Sequence, residues 1–121
     1  MNIQKILIVD DSPTERLFLV ELLTRNGFAV STADSAEEAE LKLQASRPDL
    51  ILMDVVMPGR NGFQLTRQLA RDPAMQSIPI IMCTSKNQPT DRIWGVRQGA
   101  RDYVTKPVDA AELLGKIAAL N

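Results

Sequence analysis

The stretch Leu50-Ile51-Leu52-Met53-Asp54-Val55-Val56-Met57-Pro58 restricts this chain more than any other. An apolar run delivers a single carboxylate, Asp54, and the chain then turns at Met57-Pro58. A run of this length between turn residues reads as a strand covered on both faces, the form a parallel sheet requires. In open α/β sheets, ligand chemistry sits just beyond the carboxyl ends of such strands. Asp54 is therefore the position around which the other residues are weighed.

Strand-like and helix-like segments alternate five times with short joins, with no repeat, low-complexity tract or linker. This predicts an α/β fold, a doubly wound five-stranded parallel sheet flanked by five helices. The expected strands are Lys5–Asp10, Phe28–Ser31, the Leu50 run, Ile78–Thr84 and Asp102–Thr105. Ser12-Pro13-Thr14-Glu15 starts the first helix with a Ser cap, Pro at the first helical position and Glu three residues after the cap. Phe18, Leu19, Leu22 and Leu23 form its expected inward stripe, and Gly27 suits the position after its end. Ser35-Ala36-Glu37-Glu38 starts a second helix, inward at Ala36, Ala39 and Leu43. Leu65 and Leu69 mark the third. The fourth holds Ile93, Trp94 and Val96, with Gly95 in its interior costing ~1 kcal/mol relative to Ala and Gly99 closing it. Asp109-Ala110-Ala111-Glu112 caps the fifth, where Val108 can staple onto Leu113 and Leu113, Ile117 and Leu120 turn inward.

With 121 residues, the chain has material for one domain, expected to span 1–121 with no output domain. A net charge of -1 favours neither nucleic acid nor an anionic membrane, since both select for a basic surplus. No apolar run approaches the ~20 residues of a membrane span, and the N-terminus shows no basic region with a cleavage site. No membrane insertion is expected. The lone Cys83 excludes an internal disulfide and fits a cytoplasmic setting; mid-strand, it reads as packing. Histidine is absent, so the chain cannot itself be a histidine kinase or a triad hydrolase.

If the first, third, fourth and fifth strands lie side by side, their C-terminal ends bring Asp10, Asp11, Asp54, Thr84 and Lys106 to one rim. Converging carboxylates repel one another unless a cation or proton intervenes. Mg²⁺ takes oxygen ligands and prefers one or two carboxylates plus phosphate oxygens. The set thus points to Mg²⁺ held by Asp11 and Asp54, with Asp10 close by and the Val56 carbonyl as backbone ligand. A carboxylate can attack phosphorus to form an aspartyl phosphate. The transferring group spreads charge over its oxygens, so catalysis is mainly positioning and charge compensation. Lys106 would offset one oxygen as a compact point charge, and the Thr84 hydroxyl would serve another.

Taken singly, each residue has a plainer reading. Asp10-Asp11 before Ser-Pro can be turn and cap residues, Thr84-Ser85 a helix cap, and Lys106 an exposed lysine. Asp54 is harder to dismiss, because an unpaired buried carboxylate is expensive. The joint pattern decides the matter: four of five strands end in a residue suited to one phosphate site.

Ile6–Asp11, Leu52-Met53-Asp54 with Met57-Pro58 and Gly62, Thr84-Ser85 and Tyr103–Pro107 together resemble the receiver domain of a two-component response regulator. The resemblance covers the whole chain. It implies a flavodoxin-like sheet in the order 2-1-3-4-5, a cis Lys106-Pro107 peptide and a phospho-histidine donor on a sensor histidine kinase or its phosphotransfer domain. It further implies a Thr84–Tyr103 switch that alters the face made by the fourth helix, fifth strand and fifth helix, where an unknown effector binds. Either Tyr103 takes part in that switch or it is a strand aromatic with its hydroxyl at the surface. Trp94 is either helix packing or a partner anchor. Val56 and Lys86 correspond to positions that tune water attack on the acyl phosphate; neither offers a carboxylate or amide, which implies a long-lived phosphoryl group. Gln88–Tyr103, Ser12–Glu15 and Val55–Gly59 are similar to freestanding receivers of type IV pilus twitching motility and chemotaxis-like systems.

The expected function is a phosphorylation-switched interaction module rather than an enzyme. A phosphate sink for a shared kinase is the alternative. An aspartyl-phosphate phosphohydrolase would need a D-x-D on the nucleophile strand, which Asp54-Val55-Val56 lacks. No G-x-x-x-x-G-K-[ST] follows any strand.

Overall fold

A computed structural model describes residues 2–121. Strands and helices alternate as β1 (Lys5–Val9), α1 (Pro13–Arg25), β2 (Ala29–Ala33), α2 (Ala36–Ala45), β3 (Leu50–Met53), α3 (Gly62–Ala70), β4 (Ile80–Thr84), α4 (Pro89–Gln98), β5 (Asp102–Thr105) and α5 (Ala110–Ala118). All strand pairs are parallel, in the order β2-β1-β3-β4-β5.

Period-two alternation divides the sheet between two apolar layers. Leu7, Val9, Ile51, Met53 and Ile80 face Ala36, Ala39 and Leu43 of α2 and Leu65 and Leu69 of α3. Ile6, Ile8, Leu50, Leu52, Ile81 and Cys83 face Leu19 and Leu23 of α1 and Leu113 and Ile117 of α5. Burying each of these Leu or Ile side chains contributes roughly 1.5–3 kcal/mol. A smaller cluster of Val55, Phe63, Met82, Ala100 and Tyr103 lies where α4 meets the sheet.

The caps form where the sequence places them. Ser12, Ser35 and Asp109 accept from the backbone N–H groups of Glu15, Glu38 and Glu112. Val108 packs into the layer that contains Leu113. Gly27 and Gly99 adopt positive φ at the ends of α1 and α4, and Lys106-Pro107 is cis. Strand β2 begins and ends later than expected, and β4 begins at Ile80 because Pro79, which has no N–H, precedes it.

Two apolar faces differ from expectation. On α1, Leu19 and Leu23 are buried while Phe18 is exposed. On α4, Ile93, Trp94 and Val96 all face outward, and Gly95 is the buried residue of that helix. The α4 backbone thus approaches the sheet through its glycine, closer than any side chain permits. Among the described residues, no helix is long and apolar enough to cross a membrane.

Candidate functional site

Backbone hydrogen bonds carry the parallel ladder past the strand ends and so place the polar residues. Asp10 N–H donates to Ala33 O at 3.0 Å, Asp54 N–H to Val9 O at 2.9 Å and Lys106 N–H to Thr84 O at 2.9 Å. Asp10, Asp54 and Lys106 are thus each anchored one residue beyond a strand, and Thr84 is the last residue of β4. The following loop is shaped by Gly62: a Cβ there would lie 2.9 Å from Val55 Cα and overlap the Asp54 carbonyl. The bare residue lets α3 start against the acceptor segment, where Asn61 and Gln64 form a reciprocal capping box.

Asp10, Asp11 and Asp54 each present a carboxylate oxygen within 4.8 Å of the others. Asp10 and Asp54 are buried, whereas Asp11 is exposed. Lys106 Nζ lies 2.8 Å from Asp10 Oδ2 and 3.3 Å from Asp54 Oδ2, a single cation between two carboxylates. The other oxygen of Asp10 accepts the Ser12 N–H at 2.9 Å. Asp10 therefore serves as a turn residue through one oxygen and as a site residue through the other. Asp54 Oδ1 accepts the Val56 N–H at 3.3 Å.

Burial, followed by the charge of Asp10, pushes the Asp54 carboxyl above the usual carboxylate range. Lys106, the Thr84 hydroxyl and the Val56 N–H pull against that rise without overcoming it. Burial alone would lower the Lys106 ammonium; its hydrogen bond to Asp10 and the charge of Asp54 reverse this and raise it. One ammonium among three carboxylates leaves an excess of negative charge, and all the available side-chain donors are hard oxygens. This chemistry fits a small divalent cation such as Mg²⁺. Asp11, which makes no ion pair among the described residues, has both oxygens available for it.

Thr84 is fully buried, and its hydroxyl accepts the Lys86 N–H at 3.4 Å. Val56 and Lys86 line one cleft with Val55, Met57, Asn61 and Phe63. Val56 is 54% exposed there, and the Lys86 ammonium turns to Asp91 at 3.8 Å. Tyr103 is not a surface aromatic. It is 1% exposed, and its hydroxyl donates to the Lys86 carbonyl at 2.7 Å. That burial, then the charge of Asp91, raises the phenol to about 12. Cys83 is buried, and its thiol is likewise pushed up to about 12 by burial.

Sequence reasoning missed several contacts. Arg16 donates to the Asp10 carbonyl at 2.8 Å, bracing the acidic turn from α1. Arg92 lies over the Tyr103 ring, 5.5 Å from its centroid. Arg60 bridges α3 to α2 through Gln68, Glu37 and Glu40. No local motif signals such contacts: the Arg92 and Arg60 contacts join separate elements, and the Arg16 contact depends on how the turn between β1 and α1 closes.

The response regulator receiver domain family matches residues 6–118. The chain is 51% identical to the protein PilH of Pseudomonas aeruginosa, over 96% of both chains. It is 36% identical to the phosphate regulon transcriptional regulatory protein PhoB of Escherichia coli, covering 97% of this chain but spanning only 51% of that protein. Among solved structures, the chemotaxis protein CheY4 of Vibrio cholerae superposes with a TM-score of 0.91 at 31% identity, over 99% of this chain and 100% of that one. The receiver domain of a signal transduction histidine kinase from Syntrophus aciditrophicus gives 0.89 at 36% identity, over 97% and 89%. The family match, the PilH likeness and the superpositions agree with a fold that carries three carboxylates and a lysine at one rim, and the chain belongs to the response regulator receiver domains of two-component systems.

Proposed function

We propose that Asp54 accepts a phosphoryl group from a phospho-histidine on a sensor histidine kinase or its phosphotransfer domain. The observation that carries this reading is the meeting of Asp10, Asp11 and Asp54 within 4.8 Å, with Lys106 bridging two of them. Asp10, Asp11, Asp54 and the Val56 carbonyl would hold Mg²⁺, which supplies charge neutralisation for the incoming phosphate oxygens. Lys106 would exchange its carboxylate contacts for a phosphate oxygen, and the Thr84 hydroxyl would turn to another. Asp54 attacks phosphorus as its carboxylate, so its raised pKa must be overcome by cations before transfer.

In this proposal the chain is a switched acceptor that does not turn over phosphate esters. At the position where a hydrolase would place its acid/base stands Val56. The phosphoryl group adds roughly -1.5 to -2 charge units beside Thr84 and biases the α4–β5–α5 face toward an effector protein. The likeness to PilH supports a place in type IV pilus twitching motility or a related chemotaxis-like pathway.

Incubation with a small phosphodonor and Mg²⁺ tests the reading. Intact mass is expected to rise by one phosphoryl group in the wild type but not in Asp54→Ala or without Mg²⁺. A wild type that stays unmodified, or an Asp54→Ala variant that is modified, would sink it.

A further inference from the structure

Gly95 is the only buried residue of α4, although a helix interior is an unfavourable place for glycine. A Cβ built on it would lie 2.9 Å from Met82 Sδ and 3.2 Å from both Cδ2 and Cε2 of Tyr103. Both neighbours are buried in one cluster with Val55, Phe63 and Ala100, but Tyr103 also borders a cleft between Gln88, Arg92 and Ile93 that can take its ring. The same helix touches the ring again through the guanidinium of Arg92. From the ring, a short relay leads to the carboxylate rim. The Tyr103 hydroxyl donates to the Lys86 carbonyl at 2.7 Å, and the Lys86 N–H donates to Thr84 Oγ1 at 3.4 Å.

We propose that Gly95 is a positioning residue whose missing side chain keeps Tyr103 inward before any phosphate arrives. Tyr103 in turn fixes the Lys86 peptide and, through it, Thr84. An alanine at 95 forces a choice between the methyl group and the ring. Met82 is fully enclosed, whereas the ring borders an open cleft, so the ring leaves into that cleft and the Lys86 carbonyl loses its donor. The placement of Tyr103 stands on geometry alone. Its consequence for phosphate chemistry rests on the reading of Asp54 as the acceptor.

The chain holds one tyrosine, so 3-fluorotyrosine labelling yields a single fluorine resonance. In the wild type without phosphodonor, that resonance is expected to resist a soluble paramagnetic agent. In Gly95→Ala it should shift to the position of an exposed tyrosine and broaden with the agent. The Lys86 amide should lose roughly tenfold of its hydrogen-exchange protection. Tyr103→Phe separates the two links: the ring keeps its place while Lys86 loses protection. If Gly95→Ala does not fold, Gly95→Ala combined with Tyr103→Ala is expected to restore folding, because the obstructing ring is gone. A shielded resonance and a protected Lys86 amide in folded Gly95→Ala overturn the proposal, as does a double variant that stays unfolded.

A final measurement follows Asp54 modification by a small phosphodonor with Mg²⁺. Gly95→Ala is expected to react several-fold more slowly, as Thr84 is less well placed. A wild-type rate breaks the link from Tyr103 to the acceptor. Absence of modification in the wild type instead refutes the acceptor reading and leaves the spectroscopic result intact.

Discussion

Asp54 and Val56, two residues apart on one loop, carry opposite consequences. The Asp54 carboxyl lies above its ordinary value of 3.8 through burial and the neighbouring Asp10 charge. The folded state therefore binds that proton more tightly than the unfolded chain does. Stability linked to this group is present below the ordinary carboxylate pKa and is lost as pH rises through the folded value. Asp54→Asn stays neutral throughout. In metal-free buffer at neutral pH it is expected to melt a few degrees above the wild type, with the difference vanishing below about pH 3.8. Thermal unfolding followed by circular dichroism across that range decides; a variant less stable at neutral pH contradicts the account. At Val56 the prediction is kinetic. Its apolar side chain and the Lys86 ammonium, drawn toward Asp91, give a water molecule no acceptor to orient it for attack. An acyl phosphate on Asp54 is expected to persist for minutes, and decay within seconds in a phosphodonor-free chase rules this out.

Among the elements, α3 and α4 show which local signals the chain carries and which it withholds. Asn61-Gly62-Phe63-Gln64 contains both partners of the observed capping box. Asn61→Ala is expected to cost about 1 kcal/mol in denaturant unfolding. Gly62→Ala should cost far more, 3 kcal/mol or above, because the new methyl group meets the Asp54 backbone. Equal effects of the two substitutions would show that the close approach has been misjudged. For α1, α2 and α5, the periodic apolar residues and capping signals already mark the helices, since these depend on neighbours three or four residues away. On α4 that logic inverts. Ile93, Trp94 and Val96 resemble a buried stripe, yet Trp94 remains 48% exposed and the contact is made by Gly95. A helix that packs through its backbone leaves no hydrophobic period to read. The family resemblance marks Tyr103 as a switch residue but leaves open whether its hydroxyl turns inward, for a related reason: the ring lies against this glycine, which gives no apolar signal.

Across the whole molecule, sheet order is the least local property. Nothing in any one strand says which strand lies beside it; the order was expected only from the family resemblance. The rim was legible because a shared ligand demands compatible residues at separate strand ends, and the structure brings Asp10, Asp11, Asp54, Thr84 and Lys106 to that rim. The same convergence ties the site to global stability. The three carboxylates are close together only when β1 and β3 are paired, so a cation needing them all binds the folded chain and not the unfolded one. At a Mg²⁺ concentration 100-fold above its dissociation constant, such binding stabilises by about 2.7 kcal/mol. For a domain of this size that raises the melting temperature by roughly 10 °C. The increase is expected to shrink as pH falls through the carboxylate range, where protons displace the metal. It should also shrink in Asp11→Asn, whose substitution leaves the buried Asp10–Lys106–Asp54 contacts in place. Melting curves with Mg²⁺ and with a chelator measure both effects. A chain indifferent to Mg²⁺ at neutral pH would mean that Lys106 alone reconciles the carboxylates, and the metal would have to be dropped from the site.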